Sequence, residues 1–183
     1  MPLNLYTNPQ ESLARSSHFH ANDYPSIKTY LHHGRSPRLP ATADTVNLGP
    51  PHPPKEESLK AFAEVEADLK KKLLHLKHTY LKHEPEYFAP VQHLSDSDLT
   101  SFGPADVESV RVAQSAYGIH VFGKVRIPAM PDNGPAYLHV RVFVSDEPAK
   151  LHSIHTEERE EPDGGKKYRA IFTKDDELEW FDT

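Results

Sequence analysis

The chain has 183 residues, enough for one ordinary domain or for a smaller domain with an appended segment. Its apolar share is 37%, below the roughly 45–50% of a typical globular chain, a figure that also counts glycine. With no cysteine, the chain can hold neither a disulfide framework nor a thiolate zinc site. Its net charge of −6 argues against duplex nucleic acid as a general partner.

The first 54 residues contain nine of the seventeen prolines. Each proline removes a backbone donor and biases its predecessor toward an extended conformation, so neither a long helix nor a central strand is expected there. Apolar residues nevertheless recur along this stretch, from Leu3 to Leu48. We predict an extended Pro-rich arm, residues 1–54, that lies on the domain or on another protein. A solvated, disordered tail is the alternative.

Signals for export or membrane insertion are not found in the sequence. The first ten residues lack the basic start and apolar stretch of a secretion signal, and no Asn-x-Ser/Thr sequon occurs. No apolar run reaches the roughly 18–20 residues that a membrane span requires. The sequence therefore predicts an intracellular protein, cytoplasmic or nuclear, with no membrane partner.

The clearest predicted element is a helix from Lys55 to about Lys82. The segment has no Gly or Pro and is rich in Ala, Leu, Glu and Lys, all good helix formers. Acidic residues in its first turn and basic residues in its last turn match the helix dipole, and Pro85 ends it. One apolar stripe recurs at spacings of three, four and seven: Leu59, Phe62, Leu69, Leu73, Leu76 and Tyr80.

After this helix and a turn-rich connection, the apolar period changes to two, which predicts strands. We expect them at Val107–Ala113, Tyr117–Ile127, Tyr137–Val144, Lys150–Glu158 and Lys167–Thr173. The predicted fold class is α+β: one long amphipathic helix packed on a four- to five-stranded antiparallel sheet, with the arm before it. This helix-plus-sheet domain spans residues 55–174, and an acidic-aromatic tail, residues 175–183, follows.

Alternation along two neighbouring strands predicts one unusual sheet face. In register, the strands place two histidines, three cations and three aromatic rings on one surface, the basic-aromatic face: His120, Phe122, Lys124, Arg126, Tyr137, His139, Arg141 and Phe143. Cationic side chains attract phosphate, carboxylate or an acidic peptide, and aromatic rings supply stacking area. We expect this face to point outward and to bind a partner. The alternative is an ordinary solvated face whose aromatic rings are covered by the arm.

The tail combines acidic residues with an aromatic pair, Trp180 and Phe181, that includes the only tryptophan. Such a segment can act as a docking peptide, because its charge steers the encounter and its rings anchor the complex. Equally, Trp180 can fold back and close the core of its own domain. The sequence leaves both interpretations open.

Thirteen histidines raise the question of acid–base chemistry or metal binding. Their close pairs lack the further ligands of matched spacing that a zinc site needs, so we predict no metal and no cofactor. A catalytic pair such as His120 with His139 or His155 would suit proton transfer inside an enclosed sheet cavity. No nucleophile elbow, P-loop or kinase motif occurs.

The unusual residues lie in terminal segments and on one surface rather than in a convergent catalytic set. The leading hypothesis is a non-enzymatic protein-interaction module that uses the arm, the basic-aromatic face and the tail to contact a protein partner. One alternative is a small cavity enzyme, an isomerase or dehydratase working by histidine acid–base catalysis. Another is a binder of phosphorylated ligands or single-stranded nucleic acid.

Overall fold

The computed structural model describes Thr42 and residues 46–182. Helix α1 (Glu56–His83) and a second, short helix α2 (Asp96–Leu99) precede six strands: β1 (Val107–Ser115), β2 (Gly118–Arg126), β3 (Tyr137–Val144), β4 (Lys150–Ile154), β5 (Glu157–Glu160) and β6 (Lys166–Arg169). Strands β1 to β4 form an antiparallel sheet in sequence order, and β5 pairs with β6 in a second sheet. The predicted fold class, one long helix packed with an antiparallel sheet, is confirmed.

Helix α1 begins and ends within one residue of its predicted limits, after Pro54 and before Pro85. Its apolar stripe packs on the sheet, where Phe62, Leu69 and Leu73 are at most 3% exposed. The residues that meet them come from the inward positions of β2 and β3: Val121, Val125, Leu138, Val140 and Val142. Full burial of each such side chain contributes about 1.5–3 kcal/mol, so the packing of α1 on the sheet stabilises the fold strongly.

Two segments differ from their predicted form. The connection between α1 and β1 contains helical turns at Pro85–Val91 and Pro104–Asp106 besides α2, all too short to show a period in sequence. The strand predicted at Lys150–Glu158 is split, because the chain leaves β3 after Ile154 and β5 pairs with β6 instead. None of the helices among the described residues is long and apolar enough to cross a membrane.

The last residues of the predicted arm run along the free edge of β1. The amide of Gly49 donates to the carbonyl of Val112 (2.9 Å), and His52 and Val110 exchange two main-chain hydrogen bonds (3.0 and 2.9 Å). This segment therefore covers an edge that would otherwise present unpaired backbone groups. The rest of the predicted arm, apart from Thr42, lies outside the described residues.

Leu73 tests the burial of the helix stripe. Leu73→Ala should lower the free energy of unfolding by about 2–5 kcal/mol, because it leaves a cavity beneath the sheet. Urea denaturation measures this change, and Lys71→Ala, an exposed neighbour on the same helix, should stay within about 0.5 kcal/mol of wild type. Equal stability of the two variants would contradict the packing described above.

Gly123 tests the close approach of α1 to the sheet. A Cβ at this position would overlap the ring of Phe62, so Gly123→Ala should destabilise the fold by about 1–3 kcal/mol. Gly103→Ala is the matched control, since a Cβ there meets nothing within 4 Å. Combining Gly123→Ala with Phe62→Leu should recover part of the loss in a double-mutant cycle, and additive losses would show that the two residues do not meet.

Candidate functional site

The register of β2 and β3 brings the basic-aromatic face together. The two strands pair antiparallel without a bulge, so side chains that alternate to the same side stand directly opposite each other across the ladder. The facing pairs are His120 with Phe143, Phe122 with Arg141, Lys124 with His139 and Arg126 with Tyr137. All eight residues named from the sequence therefore share the side of the sheet that points away from α1.

This face is not open to solvent, and the expected outward exposure of its cations is wrong for two of them. His139 and Arg141 are each 1% exposed, and Lys124 is 9% exposed. Arg126 is half-buried, and its guanidinium donates to the carbonyls of Ile127 and Met130. The physical reason is that the acidic-aromatic tail folds back over the sheet and supplies acceptors for the buried cations.

Side-chain donors hold the tail by its main-chain carbonyls. The Nζ of Lys124 donates to the carbonyl of Asp176 (2.5 Å) and to that of Lys174 (2.7 Å), the residue before the tail. The guanidinium of Arg141 donates to the carbonyl of Phe181 (2.8 Å) and to the carboxylate of Asp182 (2.5 Å). Within residues 46–182, no main-chain hydrogen bond joins residues 174–182 to a strand. The tail is thus bound as a peptide ligand is bound and does not extend the sheet.

Aromatic contacts complete this attachment. The guanidinium carbon of Arg141 lies 4.3 Å from the ring centre of Trp180. The ring centres of Trp180 and Phe122 are 5.1 Å apart. The ring of Phe181 stacks on His155 at 4.4 Å and meets Phe122 edge-on at 5.3 Å. Cation–π and aromatic pairs of this kind each contribute about 0.5–2 kcal/mol. The predicted alternative in which Trp180 folds back onto its own domain matches the structure.

A small second core lies between the tail and the sheet. Its buried members are Ala113, Phe122, Leu178 and Phe181, and its half-buried neighbours are Val46, Leu48 and Trp180. Residues from both ends of the described chain therefore meet on one side of the sheet.

Arg111 on β1 joins the two ends. Its guanidinium donates to the carbonyls of Gly49 (2.6 Å), Leu48 (3.3 Å) and Leu178 (2.9 Å). One side chain thereby fastens the end of the arm and the tail to the same strand. Arg111 stands opposite Phe122 in the pairing of β1 with β2. Once these two strands are paired, the alternation of side chains along β1 predicts that Arg111 shares the side of the sheet on which Phe122 lies.

A tight turn starts the tail. The carboxylate of Asp176 accepts from the amide of Thr173 (2.6 Å), from its hydroxyl (2.7 Å) and from Arg169 (2.7 Å). Burial acts to raise the pKa of Asp176, but these hydrogen bonds outweigh it and lower the pKa to about 2. No local pattern in the sequence distinguishes Asp176, because a run of carboxylates does not show which one caps a turn.

Beneath the tail, two histidines belong to a column of stacked rings. His139 stacks on Phe172 (centroids 4.1 Å apart), Phe172 lies 4.9 Å from His155, and His155 stacks on Phe181. Neither ring nitrogen of His139 has a hydrogen-bond partner within the described part of the chain. Burial, with Lys124 nearby, lowers the pKa of His139 to about 3, and burial also lowers the pKa of His155 to about 4.

His120 occupies a separate position at the other side of Arg141. Its ring centre lies 6.1 Å from that of His152 and 5.8 Å from that of Trp180. Burial and the charge of Arg141 lower the pKa of His120 to about 4. Burial also lowers the pKa of His152, so these four histidines are neutral at pH 7. They form two pairs, His120 with His152 and His139 with His155, and neither is the predicted pairing of His120 with His139 or His155.

The histidine pairs do not line an open groove that lies near the start of α1. That groove, about 590 Å³ in volume, lies between the first turns of α1 and the β3–β4 turn. Its charged residues are Glu56, Glu57, Lys60, Glu64, Asp146 and Glu147. Among the described residues, no group of three or more histidines and carboxylates is placed to hold a metal ion. The basic-aromatic face, covered by the chain's own tail, is therefore the candidate site.

Stability should depend on pH through the neutral histidines. The pKa of His139 is about 3 in the folded chain and about 6.5 when unfolded, so the unfolded state binds the proton first. Stability should fall as pH drops below about 6.5, with His139 alone contributing a loss of about 2 kcal/mol between pH 7 and pH 5. Asp176, with a pKa of about 2, keeps its contribution throughout this range.

Urea denaturation of wild type and His139→Phe at pH 7 and pH 5 measures the effect. The phenylalanine removes two unpaired ring nitrogens and the titration, so its loss between the two pH values should be smaller by about 2 kcal/mol. His139→Leu serves as the second variant if the larger ring overpacks. An identical loss in wild type and both variants would show that His139 is not a buried neutral group.

Comparisons of the chain with protein-family models, with curated proteins and with solved structures found no match.

Proposed function

We propose that the protein is a non-enzymatic interaction module that binds an extended segment of a partner protein on the basic-aromatic face. The observation that carries this proposal is the attachment of the tail by side-chain donors. Lys124, Arg141 and Arg111 all donate to main-chain carbonyls of the tail, which any extended peptide also presents. A partner segment can accept hydrogen bonds from these side chains without breaking the main-chain hydrogen bonds between the strands.

Burial at the face favours a protein segment over a small ligand. Recognition of extended peptides combines main-chain hydrogen bonds with pockets for alternate side chains. Here the donors lie beside an apolar cluster whose sheet members are Ala113 and Phe122. Anchors in such clusters carry most of the affinity of a protein interface. The face offers both components, whereas a phosphate group would use only the cations.

Charge gives the face a preference for acidic segments. The tail carries five carboxylates, at Asp175, Asp176, Glu177, Glu179 and Asp182. Opposite charges on the face and the bound segment raise the association rate and select against basic partners. The arm remains a predicted second contact with the partner, next to the point where Arg111 holds residues 48 and 49.

The cavity-enzyme alternative gains no specific support. Its candidate base His139 stacks on Phe172, and His155 is stacked between Phe172 and Phe181. The groove at the start of α1 includes no histidine. A general base needs a path to its substrate, and this path would require removal of the tail.

The interaction proposal is tested with immobilised full-length chains as baits in lysate from the source cells. The chains carry wild-type sequence, Phe181→Ala to loosen the tail, or Phe181→Ala with Arg111→Gln to weaken the face as well. Circular dichroism first confirms that each bait is folded. A true partner should be enriched on the Phe181→Ala bait and reduced on the double variant.

Capture from lysate does not show that the enriched protein binds the face directly, so this protein is purified and titrated against each chain. We expect one-to-one binding to the Phe181→Ala chain that weakens with salt, because exposed charges are screened over about 10 Å at 0.1 M. Equal binding of the purified protein to the double variant, or equal recovery of all proteins on all folded baits, would overturn the proposal.

A further inference from the structure

We infer that the partner segment repeats the chemistry of the tail, with an aliphatic residue, a spacer, two aromatic residues and a carboxylate in succession, and that the tail competes with it in cis. This inference rests on the proposed function and specifies the ligand of the same face. Its basis is the fit of residues 178–182, of which all but the exposed Glu179 meet a different feature of the sheet.

The first position takes an aliphatic side chain. Leu178 is buried against Ala113 and Phe122, and its carbonyl accepts from Arg111 at 2.9 Å. The next residue, Glu179, is exposed, so any residue suits this spacer position. Alternation of a buried and an exposed residue is what an extended segment presents to a surface.

The two aromatic positions differ in what they contact. At position 180 the ring covers the guanidinium of Arg141, a cation that is 1% exposed, and this arrangement favours the electron-rich indole of Trp180. At position 181 the ring of Phe181 stacks on neutral His155 and is 6% exposed, which favours an apolar ring. The order of a wide indole followed by a buried phenyl ring is therefore part of the specificity.

The last position takes a carboxylate. Asp182 accepts from the guanidinium of Arg141 at 2.5 Å and from the indole nitrogen of Trp180 at 3.2 Å. This carboxylate neutralises a cation that the rest of the face leaves without an acidic partner on the sheet. A charge-assisted hydrogen bond to a buried guanidinium is stronger than a neutral one and penalises segments that lack the acid.

The tail is a competing ligand because the turn at Asp176 holds it beside its own site. A segment attached through a short connection reaches an effective concentration on the order of 1 mM. For a free peptide with a dissociation constant of about 0.1 mM, such a competitor weakens apparent binding about tenfold. A partner segment with better anchors or a second contact overcomes this competition, and weaker segments do not.

The experiment uses a fluorescently labelled peptide with the sequence of residues 174–183 and follows its anisotropy with full-length chains. The Phe181→Ala chain, whose own tail lacks its most buried ring, should bind the peptide about tenfold more tightly than wild type. The Glu179→Ala chain is the matched control and should bind like wild type, because this side chain is exposed.

A second full-length chain retains every anchor of the tail. It carries a flexible Gly-Ser insertion of about 20 residues between Glu177 and Leu178, which lowers the effective concentration of the tail and should give intermediate affinity. This chain keeps the test valid if Phe181→Ala does not fold. Peptides with Ala at position 178, 180 or 181, or Asn at position 182, should bind at least tenfold more weakly, and Ala at position 179 should have no effect.

The outcomes separate the two proposals. Equal peptide affinity for wild type, Phe181→Ala and the insertion chain would overturn competition in cis. If a purified partner binds the Phe181→Ala chain but the labelled peptide neither binds nor displaces it, the inferred ligand chemistry is wrong and the interaction module stands. If neither the partner nor the peptide binds any folded chain, the proposed function fails as well.

Discussion

The buried guanidinium of Arg141 is the group on which the outer half of the structure depends. A cation that is 1% exposed is tolerated only when acceptors and rings replace the water it has lost. The sheet supplies two of them, since Arg141 donates to the Nδ1 of His120 at 3.3 Å and lies over the ring of Phe122. The tail supplies the others: the carbonyl of Phe181, the carboxylate of Asp182 and the indole of Trp180. The sheet therefore presents an incomplete surface by itself, and an acidic-aromatic segment completes it.

The sheet separates two cores of different character. On one side the stripe of α1 meets valines and leucines, and the match depends on shape, as the contact of Phe62 with Gly123 shows. On the other side cations, histidines and aromatic rings meet a segment held through its carbonyls. The first layer resembles the interior of any domain. The second has the composition of a protein interface, with an aromatic and arginine-rich centre.

The sequence was sufficient where a period or a composition carried the signal. The limits of α1 and β3 and the shared side of Lys124, His139 and Arg141 followed from periods of 3.6 and 2. The sequence could not predict that the tail covers this side. A period in the sequence indicates which residues share a face, but it carries no information about which distant segment packs on that face. The column of His139, Phe172 and His155 was equally hidden, since its members come from strand and loop positions that no local pattern links.

Arg111 also bears on how the chain folds. Its bonds to Gly49 and Leu178 span 62 and 67 positions of sequence, so they close two long loops at one side chain. Contacts of such separation lose more chain entropy and form later than local ones. We expect the layer of α1 and the hairpins to form first and the outer side of the sheet to close afterwards. Until that closure, Phe122 and its neighbours are exposed apolar surface on an otherwise folded sheet, a state prone to aggregation.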